Sequence, residues 1–202
     1  MTLFDKEYFI GGAESNYIDY TRKKYAQLAR DIKDILFLKK QMPVLDYGCA
    51  TGLLVYELRR KGVGPVYGTD ISEWAINYGR ENYNLSDTIL KHYNKDLLAI
   101  NHIKYVLMLD VLEHCDNFEL TDIFTKLAKF KKTIIVRIPV SARKHGNFYL
   151  DISRKDKTHI QCHTKSWWNE FFTMNGFRIT NTIKRKQIYN SKGVLACVIT
   201  NE

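Results

Sequence analysis

A chain of 202 residues, 45% hydrophobic and 26% charged, is long enough for one globular domain with a proper core. No apolar run approaches the ~20 residues of a membrane span, Met1 to Glu7 lacks the regions of a signal peptide, and four scattered cysteines form no C-x-x-C pair, so a disulfide framework is excluded and a cytoplasmic location expected. The net charge of +9 is uneven, with 14 Lys+Arg against 13 Asp+Glu in residues 1–101 and 17 against 9 in residues 102–202. The second half is therefore either a solvated basic surface or an attractor of an anionic partner.

In chain order, Tyr8, Phe9, Tyr17 and Tyr20 surround Gly11-Gly12, the pattern of a hinged segment. An amphipathic helix is predicted from Tyr20 to about Lys40, with Leu28, Ile32, Ile35 and Leu36 on one face, and Pro43 prevents its continuation. Val44 and Leu45 then close a buried strand, Gly48 and Gly52 punctuate a turn, and Leu53 to Leu58 open a helix. A strand that passes through glycines into a helix aims backbone N–H groups at one spot and lets a ligand approach closely. The next apolar run ends at Asp70, which stands about 20 residues beyond the turn, where doubly wound sheets place the acid that takes ribose hydroxyls.

Ser72 is an expected N-cap for the following helix. A short strand at 88–93 precedes Asp96-Leu97, and a fourth strand at 104–109 is closed by Asp110. A helix over about 117–130 and a strand at 133–138 follow, the latter stopped by Pro139. A polar connection of about 25 residues exceeds ordinary loop length, which marks it as functional. A helix at 166–175 and strands at 177–183 and 193–200 complete the chain. Strands alternating with helices mean an α/β sheet with helices on both faces.

Three stretches in this order, Asp46-Tyr47-Gly48-Cys49-Ala50-Thr51-Gly52, Gly68-Thr69-Asp70-Ile71-Ser72 and Asp110-Val111-Leu112-Glu113-His114, resemble the successive motifs of class I S-adenosylmethionine (SAM) methyltransferases of the small-substrate type. The resemblance runs from Glu7 to Phe177, with Tyr47 and Ala50 as mild departures. It implies a Rossmann-like fold whose seven-stranded sheet is mostly parallel with the last strand antiparallel. It implies a single domain, with residues 1–40 as an N-terminal helical lid segment and 41–202 as the core. It also implies SAM as cofactor, held by Asp46, Gly48, Cys49, Ala50, Gly52, Leu53, Asp70, Ile71, Asp96, Leu97, Asp110 and Val111, with Tyr17 and Tyr20 reaching from the lid. A dehydrogenase fits worse, because Gly48 and Gly52 do not make G-x-G-x-x-G.

Methyl transfer to a hydroxyl requires alignment and removal of a proton. His159 is the leading base, in the element Asp156-Lys157-Thr158-His159 that resembles the family's D-x-x-H loop, with Asp156 to orient the ring and His114 as rival. Cys162, His163 and His159 match no zinc signature, so no metal is expected. The chain lacks both the N-P-P-Y-like loop of amine methylation and any Pro-Cys nucleophile, which argues against base modification. The Tyr8-to-Tyr20 segment and the Asp156-to-His159 element resemble instead methyltransferase domains that stand beside glycosyltransferases in glycan biosynthesis, those of chloroviruses among them. A sugar or glycan hydroxyl is therefore the first acceptor, with Phe148, Tyr149, Trp167 and Trp168 as stacking faces. Nucleic acid or a small metabolite comes second, and a SAM-binding module without activity third.

Overall fold

A computed structural model of the chain describes residues 4–10, 21–87 and 89–201. Tyr17, Tyr20 and the Gly11-Gly12 hinge lie outside the described residues. The strands are β1 (Val44–Tyr47), β2 (Val66–Asp70), β3 (Leu90–His92), β4 (Tyr105–Leu109), β5 (Thr133–Pro139), β6 (Arg178–Thr182) and β7 (Val194–Thr200). They form one seven-stranded sheet in the order β3-β2-β1-β4-β5-β7-β6. The last strand runs antiparallel, as the family resemblance implied. Packing divides the chain into two compact units, Met1–Asn94 and Lys95–Glu202.

In the first unit, β1, β2 and β3 are parallel, with Asp46 level with Gly68 and Asp70 level with His92. Its helices are α1 (Lys6–Ile10), α2 (Arg22–Ile35), α3 (Leu53–Arg60) and α4 (Glu73–Tyr83). The predicted Tyr20–Lys40 helix is shorter at both ends. The Thr21 hydroxyl accepts from the Lys24 amide and starts α2, and Phe37 adopts a left-handed φ of 51°, which no helix continues through. Leu28, Ala29 and Ile32 bury its apolar face. The Ser72 cap is found as expected, with Oγ accepting from the Ala75 amide at 3.1 Å. The short α1 carries no periodic signal in the sequence. It is held by Phe9, which is buried and stacks on Trp74 of α4 at 5.8 Å.

In the second unit, β4 and β5 are parallel, while β7 pairs antiparallel with both β5 and β6. The continuous apolar runs of β4 and β5 fit strands covered on both faces. Helix α5 (Asn117–Leu127) begins with a reciprocal capping box between Asp116 and Glu119. It contributes Leu120, Ile123, Phe124 and Leu127 to a core completed by Trp168 and Phe172 of α7 (Lys165–Met174) and by Phe177. The long connection after β5 has structure of its own, a bridge between Ser141 and Phe148 and the short helix α6 (Asp151–Lys155).

One buried cation holds this unit. Lys132 is fully buried, and its ammonium donates to the carbonyls of Ile100 (2.7 Å) and Ile103 (2.6 Å). Burial pushes its pKa down to about 8. Lys132→Met, which keeps the stem and removes the donor, takes the ammonium from the Ile103 carbonyl and leaves the Ile100 carbonyl with only the Ile103 amide at 3.2 Å. It should lower stability by about 1–3 kcal/mol, read from the urea midpoint at neutral pH.

Candidate active site

The turn after β1 is built from backbone that few side chains tolerate. Gly48 (φ 78°), Ala50 (φ 49°) and Gly52 (φ 74°) all take left-handed conformations. Gly52 is also the N-cap of α3, which Leu53 opens, and supplies no side-chain cap, so the first amides of the helix lack an acceptor within the helix. A β-carbon on Gly52 would come within 2.8 Å of Leu90, which explains glycine at that corner twice over.

Asp70 braces this turn from the end of β2. One carboxylate oxygen accepts from the Ala50 amide at 2.7 Å and the other from the Ser72 amide at 2.8 Å. Burial raises its pKa, and these two backbone donors partly offset the rise. A carboxylate has about four acceptor sites, so Asp70 can pin two amides and still offer a lone pair on each oxygen. Asp46 and Cys49 are buried beside the turn. The Cys49 thiol is pushed well up by burial, then by the charges of Asp70 and Asp46, which makes it an inert packing group. Ile71 is 47% exposed and presents an open apolar face next to the Asp70 carboxylate. Diol acceptors, a glycine-shaped turn and an adjacent apolar face fit a nucleoside-bearing cofactor such as SAM.

Gly79 on α4 was not singled out from the sequence, yet it positions the turn. A β-carbon there would lie 2.1 Å from the Thr51 carbonyl oxygen, so α4 and the turn touch backbone to backbone. A glycine inside a helical pattern was the available signal. Gly79→Ala must push the turn away. It should cost about 1–3 kcal/mol of stability by thermal or urea unfolding and weaken SAM binding in the same protein.

In the second unit, Asp96 is exposed at the start of a 3-10 turn (Lys95–Ala99), and Leu97 behind it is buried. Asp110, with a left-handed φ of 55°, makes a two-pronged ion pair with Arg137 of β5, in which Nε donates to Oδ1 at 2.9 Å. Arg137 escaped the sequence reading because a cation inside an apolar strand gives no hint of its partner. Val111 leads from Asp110 into a 3-10 turn (Leu112–His114) that carries Glu113 and His114.

Backbone hydrogen bonds bring the D-x-x-H loop to this turn. The amides of Ile160 and Gln161 both donate to the Glu113 carbonyl, at 2.8 and 2.9 Å. As a result the rings of His114 and His159 meet edge to face at 4.7 Å, although 45 positions apart in sequence. Phe148 also packs edge to face against His159, at 5.3 Å.

The hydrogen-bond network assigns the protons of both imidazoles. Nδ1 of His159 lies 3.0 Å from the Ser153 carbonyl, which only accepts, so Nδ1 carries the hydrogen and Nε2 the lone pair. The Thr158 hydroxyl donates to Asp156 Oδ1 at 2.5 Å and lies 2.9 Å from His114 Nδ1. With its own proton committed to Asp156, Thr158 must accept from His114 Nδ1–H. His114 is thus also a Nδ1–H tautomer, and burial together with the neighbouring His159 pushes its pKa down to about 4. Asp156 sits beside His159 differently from an orienting partner at Nδ1: its Oδ2 is 3.5 Å from Nε2, and Oδ1 caps its own loop through the Thr158 amide at 2.9 Å.

Glu113, quoted in the sequence only as part of a motif, is the residue most altered by the fold. It is fully buried, and neither carboxyl oxygen has a hydrogen-bond partner. One of those oxygens stands 4.0 Å from His159 Nε2. Burial, then the nearby Asp110, pushes its pKa well up.

The expected aromatic stacking faces divide. Phe148 and Trp168 are buried in the core and offer no face to an acceptor. Trp167 stacks on His163 at 3.6 Å, while Tyr149 is 40% exposed with the Lys192 ammonium 5.4 Å from its ring. His163 is tied to Gln161 by a 2.8 Å hydrogen bond and is thereby part of the loop scaffold.

Comparison with known proteins supplies the family. A family model for a methyltransferase domain matches residues 20–182. The ribosomal protein L11 methyltransferase of Aquifex aeolicus is 32% identical over 96 residues, covering 48% of this chain and 38% of that protein. That of Neisseria gonorrhoeae is 36% identical over 61 residues, 30% of this chain and 21% of its own length. The chain therefore spans well under half of the curated relatives it matches. Among solved structures, a SAM-dependent methyltransferase of Archaeoglobus fulgidus superposes with a TM-score of 0.66 at 16% identity, covering 90% of this chain and 95% of that one. The magnesium protoporphyrin IX methyltransferase of Synechocystis PCC 6803, with bound S-adenosylhomocysteine (SAH), gives 0.61 at 19% identity, covering 89% and 84%. At these identities the superpositions show a common fold, and with the family model they establish that this chain belongs to the methyltransferase-domain family, whose cofactor is S-adenosylmethionine.

Proposed function

We propose that the chain is a SAM-dependent O-methyltransferase whose acceptor is a hydroxyl of a sugar in a glycan, and that it acts in the cytoplasm. The observation that carries this reading is the lone pair on His159 Nε2, fixed there by the Ser153 carbonyl at Nδ1. SAM supplies an electrophilic methyl group on its sulfonium. Asp70 and the Gly48–Gly52 turn would hold its nucleoside end, with Asp46, Cys49, Ala50, Leu53 and Ile71 around them. Asp96, Leu97, Asp110 and Val111 are assigned to the same cofactor, as are Tyr17 and Tyr20.

The protein's own chemistry is then to align the hydroxyl and take up its proton as the oxygen attacks. His159 accepts that proton at Nε2, and the carboxyl groups of Asp156 and Glu113 stabilise the imidazolium that results. His114 holds the far side of the pair through Thr158. Tyr149, with its exposed ring, supplies the flat apolar face that sugar rings stack on. The likeness of the D-x-x-H element to methyltransferase domains that stand beside glycosyltransferases supports the same class of acceptor.

SAH release should be screened with sugar acceptors and RNA side by side. Release with a sugar, insensitive to moderate salt, supports the reading. Release with RNA alone, falling steeply with salt as phosphate-led binding does, would replace it by a nucleic-acid enzyme. SAH binding with no release on any acceptor would leave a binding module.

A further inference from the structure

We propose that Glu113, His114 and His159 form a binding site for one divalent transition-metal cation. The proposal rests on three observations within one unit of the fold. The first is convergence: one ligand atom from each of the three residues lies within 4.8 Å of the others. A four-coordinate cation with bonds of about 2.0–2.1 Å spaces its ligand atoms about 3.4 Å apart, so small side-chain rotations suffice to close the site. The second is Glu113 itself. It is fully buried, and both of its oxygens lack a hydrogen-bond partner. An unpaired buried carboxyl group is costly unless something positive meets it.

The third observation is the support behind each imidazole. Histidines that bind metals donate their other ring N–H to a carbonyl or a carboxylate, which fixes the tautomer and the ring plane. His159 does so to the Ser153 carbonyl. His114 does so to Thr158, whose hydroxyl passes the bond on to Asp156. Both rings therefore carry their lone pair on Nε2. On His159 that lone pair stands 4.0 Å from one carboxyl oxygen and 3.5 Å from another. Lone pairs converging at such distances call for a proton or a cation between them.

Two imidazoles and one carboxylate favour a first-row transition ion over calcium or magnesium, which prefer oxygen donors. Three protein ligands leave a position open, which a hydroxyl group can occupy. The inference builds on the O-methyltransferase reading, since the cation competes with the acceptor's proton for the same His159 lone pair. With the cation in place, the coordinated hydroxyl is acidified and gives its proton to solvent water instead of the ring, and its oxygen takes the methyl group as the methyl–sulfonium bond of SAM breaks to leave SAH. The sequence spacing gave no sign of this, because Glu113 and His114 are adjacent and the third ligand arrives from a distant loop.

Cobalt(II) alone is the probe, added to the full chain after chelator treatment and followed by visible d–d absorption. SAH titrations are run on the same samples. One equivalent of cobalt should bind with a visible band. Glu113→Gln, which keeps the shape of a buried neutral group, should weaken it by at least about tenfold, and Thr158→Val, which only removes the support of His114, by about 10–100-fold. SAH affinity should be unchanged in both. SAH binding without any cobalt band, or equal cobalt binding by Glu113→Gln, overturns the cation site while leaving the methyltransferase reading intact. A cobalt band lost in Glu113→Gln, in a protein that binds no SAH, upholds the site and removes that reading.

Discussion

His159→Ala should lower kcat by about 10²–10⁴-fold while SAM and SAH bind with nearly wild-type affinity. The ring has one nitrogen committed to the Ser153 carbonyl and the other facing the carboxyl groups of Asp156 and Glu113. Alanine removes that second nitrogen altogether, whether it takes the proton of the acceptor or holds a cation that polarises it. Asp156→Asn should lose less, because Asp156 acts through the Thr158 cap and through charge at 3.5 Å. His114→Ala belongs in the same panel. If it abolishes activity while His159→Ala retains most, the group that meets the hydroxyl is His114. A loss in kcat without a change in SAH affinity separates the chemical role from a merely structural one, since a collapsed loop would move both.

The glycine turn and its bracing aspartate were more legible in the sequence than the surroundings of His159, for a physical reason. Asp46, Gly48, Gly52 and Asp70 lie in strand ends and tight turns, where local backbone demands dictate residue type. The left-handed φ angles at Gly48 and Gly52 and the Ser72 cap are local facts. The histidine pair depends on a loop folding back across 45 positions to lay His159 against His114. What binds that loop is the Glu113 carbonyl, a backbone atom that no residue type announces. For the same reason Glu113 passed as one letter of a motif, and Thr158 as the filler between Asp156 and His159. Phe148 and Trp168 were legible as aromatic but not as buried, because Phe148 stands in an irregular connection without periodicity, and α7 sets aromatics at the adjacent positions Trp167 and Trp168, so spacing alone does not pick its core face.

Asp70→Ala should weaken SAM binding by about 1.5–3 kcal/mol, which is about 10- to 150-fold in Kd. Two losses combine there. The ribose hydroxyls lose their carboxylate acceptor, and the amides of Ala50 and Ser72 lose the oxygens that hold the turn in shape. Asp70→Asn tells these apart. It keeps one acceptor oxygen but sets an amide donor against one of the two backbone N–H groups, so its binding should fall between wild type and alanine. Calorimetry on the three proteins reads the ladder directly. Unchanged affinity in Asp70→Ala would remove Asp70 from the cofactor site and leave it as a brace of the turn.

The most direct measurement is the fate of an isotopically labelled methyl group supplied on SAM to the purified chain with a panel of glycan acceptors. The account predicts one label per acceptor as a methyl ether on a sugar oxygen, resolved by NMR, with an equal amount of SAH formed and the transfer lost in His159→Ala. Label recovered on nitrogen or carbon, or on RNA in place of the sugar, would contradict it.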